Sequence, residues 1–188
     1  MGIAERKDRL RAERGQRITA AARRIAESEG WDAVTIRRLA EEIEYSQPVL
    51  YAHFTNRDAI VAAVAVEGFR EIAVVLRRAA DGATDRRDAP RDVANAYLAF
   101  ARDHPALYDA MFSLPTGLRF ADAETPLELR DGFAALAAIV PASNPDIELA
   151  AETFWAALHG LATLDRSGRI RPGARDQRVA LVVRGLLG

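Results

Sequence analysis

Cysteine is absent from the 188-residue chain. That excludes disulfides, a thiol nucleophile and Cys-ligated zinc or iron–sulfur sites. Long apolar runs are missing too. No stretch reaches the roughly 18 apolar residues of a spanning helix. The opening MGIAERKDRLRAERGQR has no apolar core of a secretory signal, so a cytoplasmic address is the expectation. Catalytic signatures are lacking: there is no H-E-x-x-H, G-x-S-x-G, Walker or G-x-G-x-x-G pattern. The three His (His53, His104, His159) are far apart in sequence. No catalytic residue, no metal site and no cofactor is therefore expected, and the run Glu41–Glu42–Glu44 reads as a solvated face. Charge of one sign is not in excess either: 26 Lys and Arg stand against 27 Asp and Glu, a net charge of -1. What remains is a globular composition, half apolar and 28% charged, sized for one or two small domains.

The balanced charge hides an asymmetry. Residues 1–24 carry eight basic side chains (Arg6, Lys7, Arg9, Arg11, Arg14, Arg17, Arg23, Arg24) against three acids (Glu5, Asp8, Glu13). Such an arm can meet a polyanion, or it can be the solvated start of a helix.

Helical periodicity runs through nearly the whole chain. Ile18, Ala22, Ile25 and Ala26 mark one helical face, and Gly30 ends that helix. Thr35 can cap the next, Ile36–Ile43, with Val34 and Leu39 at staple positions. Ser46 can cap a third, with Tyr45 and Leu50 at the staple and Pro48 in the first turn. Thr55 with Asp58 reads as a capping box opening a long helix over 57–80. Two short helices joined by a tight turn therefore occupy 35–54, the helix–turn–helix layout. Beyond the turn-rich Asp81–Pro90, helices are expected over 90–103, from Pro105 through ALYDAMF, from Thr125 to Val140 with Thr125 as cap, from Asn144–Pro145 to about Ser167, and over 173–187. Ser113–Glu124 reads as an irregular loop. The expectation is an all-α chain of nine helices, three in a head and six behind it.

The third helix has the make-up of a recognition helix. With Leu50 and Phe54 facing the core, Gln47, Pro48, Val49 and His53 are left towards solvent, with Tyr51 at the edge. Gln pairs bidentately with adenine, while Pro and Val suit a thymine methyl. Tyr, His and Arg reach phosphates. An ordinary exposed helix face would show the same pattern.

The segment TIRRLAEEIEYSQPVLYAHFTNRDAI (Thr35–Ile60) resembles the N-terminal DNA-binding domain of the tetracycline-repressor (TetR) family, and the match extends over about residues 14–65. HPALYDAMF and WAALHGLATLDRSGRI resemble the subgroup with a Trp–His–Gly signature at Trp155, His159 and Gly160. The resemblance implies a head over 1–56 and a ligand-binding, dimerising part over 57–188, connected by the 57–80 helix. It implies base contacts by Arg37, Gln47, Pro48 and Val49. Phosphate contacts fall to Thr35, Tyr51, His53 and Arg57. Ala52 departs from the bulky residue frequent at its position.

In the C-terminal part Tyr97, Phe100, His104, Tyr108, Met111, Phe112, Phe133, Phe154, Trp155 and His159 are candidates for an effector pocket, although aromatics at helical spacing also form plain core. Thr163 is a further polar handle. Leu158, Leu161, Leu164, Val179, Val182, Val183 and Leu186 give the last two helices an apolar excess that suits a two-fold homodimer. The expected activity is that of a ligand-responsive repressor. It would bind a palindromic, double-stranded operator as a dimer and leave it on binding a small hydrophobic or aromatic effector. The alternative is an all-α binding or enzymatic domain with an incidental helix–turn–helix.

Overall fold

The computed structural model describes residues 2–119 and 122–188, with position 3 by its backbone alone. Among these residues the chain is helical and no strand occurs. The helices are α1 (Ile3–Glu29), α2 (Ile36–Glu42), α3 (Gln47–Tyr51), α4 (Arg57–Asp81), α5 (Ala89–Asp103), α6 (Pro105–Phe112), α7 (Leu127–Ala137), α8 (Ile147–Arg166) and α9 (Arg175–Leu187), with a 3-10 turn at Trp31–Ala33. This is the all-α order read from the sequence. The loop expected over Ser113–Glu124 includes positions 120 and 121, which lie outside the described residues.

The helix ends show which start and stop signals operate. Gly30 closes α1 at φ 86°, its N–H donating to the Ala26 carbonyl at 2.9 Å. A residue with a Cβ rarely adopts that φ. Thr35 caps α2 as expected, accepting from the Arg38 N–H at 3.1 Å. Three expected caps are corrected. Ser46 has the extended backbone of a cap but its side chain makes no capping bond. At α4 the capping oxygen is Oδ1 of Asn56, which accepts from the Ala59 N–H at 2.8 Å. Thr125 turns back to accept from the Asp122 N–H, and α7 begins after Pro126 without a side-chain cap. At α8 the Asp146 carboxylate caps through the Leu149 N–H at 3.0 Å.

The chain divides by packing into two compact units, residues 1–68 with 104–119, and residues 69–103 with 120–188. The sequence division at 56/57 follows helix order. The packing division falls inside α4 and assigns α6 to the first unit. In that unit Ile18, Ala21 and Ala22 of α1, Leu39, Leu50, Ile60, Val64 and Leu107 are fully buried. The start of α6 is held from α1 and the 3-10 turn. The Glu27 carboxylate accepts from the Ala106 and Leu107 N–H groups, both at 3.1 Å, and Trp31 Nε1 donates to the Ala106 carbonyl at 2.8 Å. Pro105 has no N–H, so Glu27 serves the first amides that need a partner. At Gly68, α4 meets α6 so closely that a Cβ would lie 2.6 Å from Met111 Sδ.

In the second unit, Phe69 and Ile72 of α4, Val93 and Tyr97 of α5, Leu136 of α7, and Phe154 and Leu158 of α8 form the core. Arg70 pairs with Glu128 at 2.8 Å, tying α4 to α7. Arg175 Nη2 donates to the Asn95 carbonyl at 2.7 Å, tying α9 to α5.

Candidate nucleic-acid interface

The turn between α2 and α3 sets the geometry of the candidate interface. Glu44 follows α2 with φ 55°, and the Tyr45 N–H closes the turn on the Ala40 carbonyl at 3.0 Å. This is a left-handed helix ending in which Glu stands where glycine is least strained. The Arg17 guanidinium lies 5.1 Å over the Tyr45 ring and pins the turn to α1. Beyond the turn, α3 has five residues and tightens at its end, where the His53 and Phe54 N–H groups share the Leu50 carbonyl.

Burial separates support from candidate contact. Val34, Leu39 and Leu50 are sealed, whereas Thr35, Arg37, Gln47, Pro48 and Tyr51 are exposed. Val49 and His53 are half-buried. Phe54, expected in the core beside Leu50, is only half-buried, because the chain leaves the helix there. Arg37 extends with 81% of its side chain exposed, 3.8 Å from Glu41. The acidic run of α2 is engaged in ion pairs: Glu41 with Arg37, and Glu42 with Arg38 at 2.9 Å and Arg24 at 3.7 Å.

The basic arm and the end of α3 share one surface. Arg6, Lys7, Arg11 and Arg14 of α1, with Asp8 and Leu10, line a groove of about 760 Å³ whose other wall is Ala52 and His53. Arg11 Nη2 donates to the Ala52 carbonyl at 3.4 Å. The His53 pKa is lowered by desolvation first, and then by the positive charges of Arg11 and Arg14. Its imidazole is therefore neutral near pH 7, in a cationic groove that an anion would relieve.

Arg57 is placed differently from the other phosphate candidates. Its guanidinium is half-buried and donates from Nε to the Val34 carbonyl at 2.9 Å and from Nη2 to the Trp31 carbonyl at 2.7 Å. It ties the start of α4 to the turn before α2. Sequence reasoning missed this strut because a carbonyl acceptor leaves no residue signature.

The effector candidates are distributed between the two units. His104, Tyr108, Met111 and Phe112 belong to the first, where Tyr108 and Met111 are core and the Tyr108 and Phe112 rings pack 4.7 Å apart. Tyr97, Phe100, Phe133, Phe154, Trp155 and His159 belong to the second. There Trp155 Nε1 donates to the Tyr97 hydroxyl at 3.0 Å, and His159 is held below its ordinary pKa by burial and by Arg166. None of them lines the cleft of about 220 Å³ formed by α5, α8, α9 and the 167–174 turn. Leu98, Leu161 and four arginines line that cleft, and no spacing in the sequence points to the arginines. Of the dimer candidates, Leu158 and Val179 have no surface to offer, because both are filled into the chain's own core. Leu161, Val182, Val183 and Leu186 are half-buried, and Leu164 and Leu181 are exposed at 39% and 62%.

Known proteins share this arrangement. Residues 18–64 match the family described as bacterial regulatory proteins, tetR family, and residues 90–186 match the tetracyclin repressor-like C-terminal domain. An HTH-type transcriptional regulator of Mycobacterium tuberculosis is 32% identical over 154 residues, 80% of this chain and 69% of the relative. A solved structure of a protein from Rhodococcus sp. RHA1 is 26% identical with a TM-score of 0.74, covering 93% of this chain and 95% of that one. The fold is also that of RolR solved with resorcinol, at 16% identity and a TM-score of 0.68, over 95% of this chain and 89% of that one.

Proposed function

The chain belongs to the tetR family of bacterial regulatory proteins, and on that premise we propose that it is a ligand-responsive repressor binding a palindromic operator as a homodimer. The observation that carries this reading is the surface on which the N-terminal arginines meet the end of α3. Polyanion-binding charge lies beside the helix whose exposed face holds Gln47 and Pro48. Arg37, Gln47, Pro48 and Val49 read base edges in the major groove. Thr35, Tyr51 and His53 position the head on phosphates, with Arg57 bracing α4 through the Val34 and Trp31 carbonyls while its Nη1 lies 3.8 Å from Asp58. Residues 1–56 carry the DNA contacts, and 57–188 carry the effector and dimer functions. The reading needs no catalysis and places the protein in the cytoplasm, with its DNA.

Dimerisation uses what α8 and α9 leave uncovered: Leu161, Leu164, Leu181, Val182, Val183 and Leu186. A two-fold pairing of α8 and α9 buries this strip against its own copy and sets two α3 helices one DNA turn apart, about 34–36 Å. An aromatic effector with a hydroxyl can exchange for the hydrogen bond between Trp155 and the buried Tyr97, in line with the resorcinol held by RolR.

Fluorescence anisotropy on the DNA upstream of the protein's own gene tests the reading. Arg37→Ala and Gln47→Ala should each cost about 1–3 kcal/mol of discrimination against shuffled DNA. Shuffled and upstream DNA bound equally by the unaltered protein would refute it, in favour of an incidental helix–turn–helix. Calorimetry with resorcinol as probe, with and without operator, checks the effector part. Linkage requires the DNA to weaken the ligand by the same factor as the ligand weakens the DNA.

A further inference from the structure

The cleft between α5, α8 and α9 is built for an anion with an apolar body. Arg102 of α5, Arg166 of α8, and Arg175 and Arg178 of α9 line it together with one carboxylate, Asp165, and Arg102 is already paired with Asp103 at 2.7 Å. The two α9 arginines are satisfied by neutral groups. Arg175 Nη2 donates to the Asn95 carbonyl, and Arg178 Nη2 donates to the Arg171 carbonyl. Carbonyls orient a guanidinium without neutralising it. Arg175 Nε is moreover buried and has no hydrogen-bond partner among the described residues. Native structures seldom leave such a donor unmet, and this one has almost no accessible surface, so an acceptor reaches it only if its surroundings shift. Both residues sit in the first turn of α9, whose cap residue Ala174 offers no side-chain bond, and the positive end of that helix adds to the field.

We infer that this cleft is a binding site for a small organic monocarboxylate, its carboxylate on Arg175 and its apolar part against Leu98, Leu161 and Ile170. The volume of about 220 Å³ is below that of drug-sized ligand pockets and holds one ring or a short chain. The apolar wall argues against a bare inorganic anion, which would leave it unfilled. Asp165 argues against a dianion, which it would repel. The site shares no residue with the DNA surface or the Tyr97–Trp155 pair, and only Leu161 with the proposed dimer strip, so DNA binding can fail without it.

The test is isothermal titration of the full chain with benzoate, benzamide and inorganic phosphate. Benzoate should bind, and benzamide and phosphate should bind at least about tenfold more weakly. Arg175→Gln should lower benzoate affinity roughly tenfold or more, since one charge-assisted donor set is lost. Because Arg175 also ties α9 to α5, Arg102→Gln is the second variant. Its side chain is 62% exposed and its removal leaves the core alone; it also releases the Asp103 carboxylate beside the cleft, so benzoate should weaken severalfold. Arg87→Gln, an exposed arginine paired with Asp85, removes one charge elsewhere and should leave benzoate binding unchanged. Absence of benzoate binding at millimolar concentration would overturn the inference. So would benzamide or phosphate binding as tightly, or benzoate affinity unmoved in both the Arg175 and Arg102 variants.

Discussion

Arg57→Ala separates bracing from phosphate contact. The side chain supplies two short charge-assisted bonds to the Val34 and Trp31 carbonyls, at 2.9 and 2.7 Å. Bonds to a charged donor contribute about 1.5–3 kcal/mol each in protected settings. Here the side chain is 35% exposed and water can reach part of the vacated space, so about 2 kcal/mol for the pair is the reasoned figure. For a chain of this size that is a fall of roughly 4–8 °C in Tm. Urea unfolding followed by Trp31 fluorescence, in a Trp155→Phe background, reads it. Arg57→Lys sharpens the test. It keeps the charge but loses the planar fork, so stability should fall by about half as much while the salt dependence of DNA binding stays the same. A phosphate contact alone predicts the reverse, a salt slope lower by about 0.9 in Arg57→Ala and unaltered stability. That second pattern would refute the bracing role.

Gly68→Ala should destabilise by about 1–3 kcal/mol, because its Cβ would stand 2.6 Å from Met111 Sδ and 2.9 Å from Leu107 Cδ1; pairing it with Met111→Ala in a double-mutant cycle should show the coupling. Glu44→Gly should stabilise by roughly 1 kcal/mol in urea unfolding, since the residue sits at φ 55°. His53 has a lowered pKa in the free protein, so its folded state binds fewer protons than the unfolded one below the ordinary value of 6.5. Its contribution to stability is therefore complete above that pH and declines as pH falls through it. DNA phosphate favours the protonated ring, so operator affinity should rise as pH drops from 7.5 to 6, and His53→Gln should flatten that rise in anisotropy titrations.

Helix order was legible because it is written locally. Periodicity at Ile18–Ala26, Gly30 after α1 and Thr35 before α2 each act within one or two turns, and their partners follow within four residues. The caps at Thr55 and Thr125 were misread for the same local reason: a neighbouring Asn, or a preceding loop amide, competed for the role. The exposed face of α2 and α3 was legible from the buried spacing of Leu39 and Leu50. Three features were hidden because their partners are distant or carry no side-chain signature. Arg57 bonds to carbonyls 26 and 23 residues earlier. Glu27 bonds to amides about 80 positions later. The cleft gathers arginines from three helices between 102 and 178. The choice between core and cavity for Tyr97, Tyr108 and Met111 was likewise unreadable, because an apolar side chain looks alike in both places.

The hold of Glu27 and Trp31 on α6 has a consequence for the order of events at the ribosome. The first unit is interrupted in sequence: residues 1–68 need 104–119 to be complete, and 69–103 are made in between. At roughly 5–20 residues per second, that interval lasts about 2–7 s. Throughout it the nascent head has α2 and α3 but lacks the Ala106 carbonyl for its tryptophan and the two amides for Glu27. Leu107 and Met111, which close its apolar interior, also have yet to be made. A chain stalled before position 104 thus presents an open core, whereas one released after 119 can close it. Synthesis of the DNA-facing part is thereby tied to a later stretch of the message.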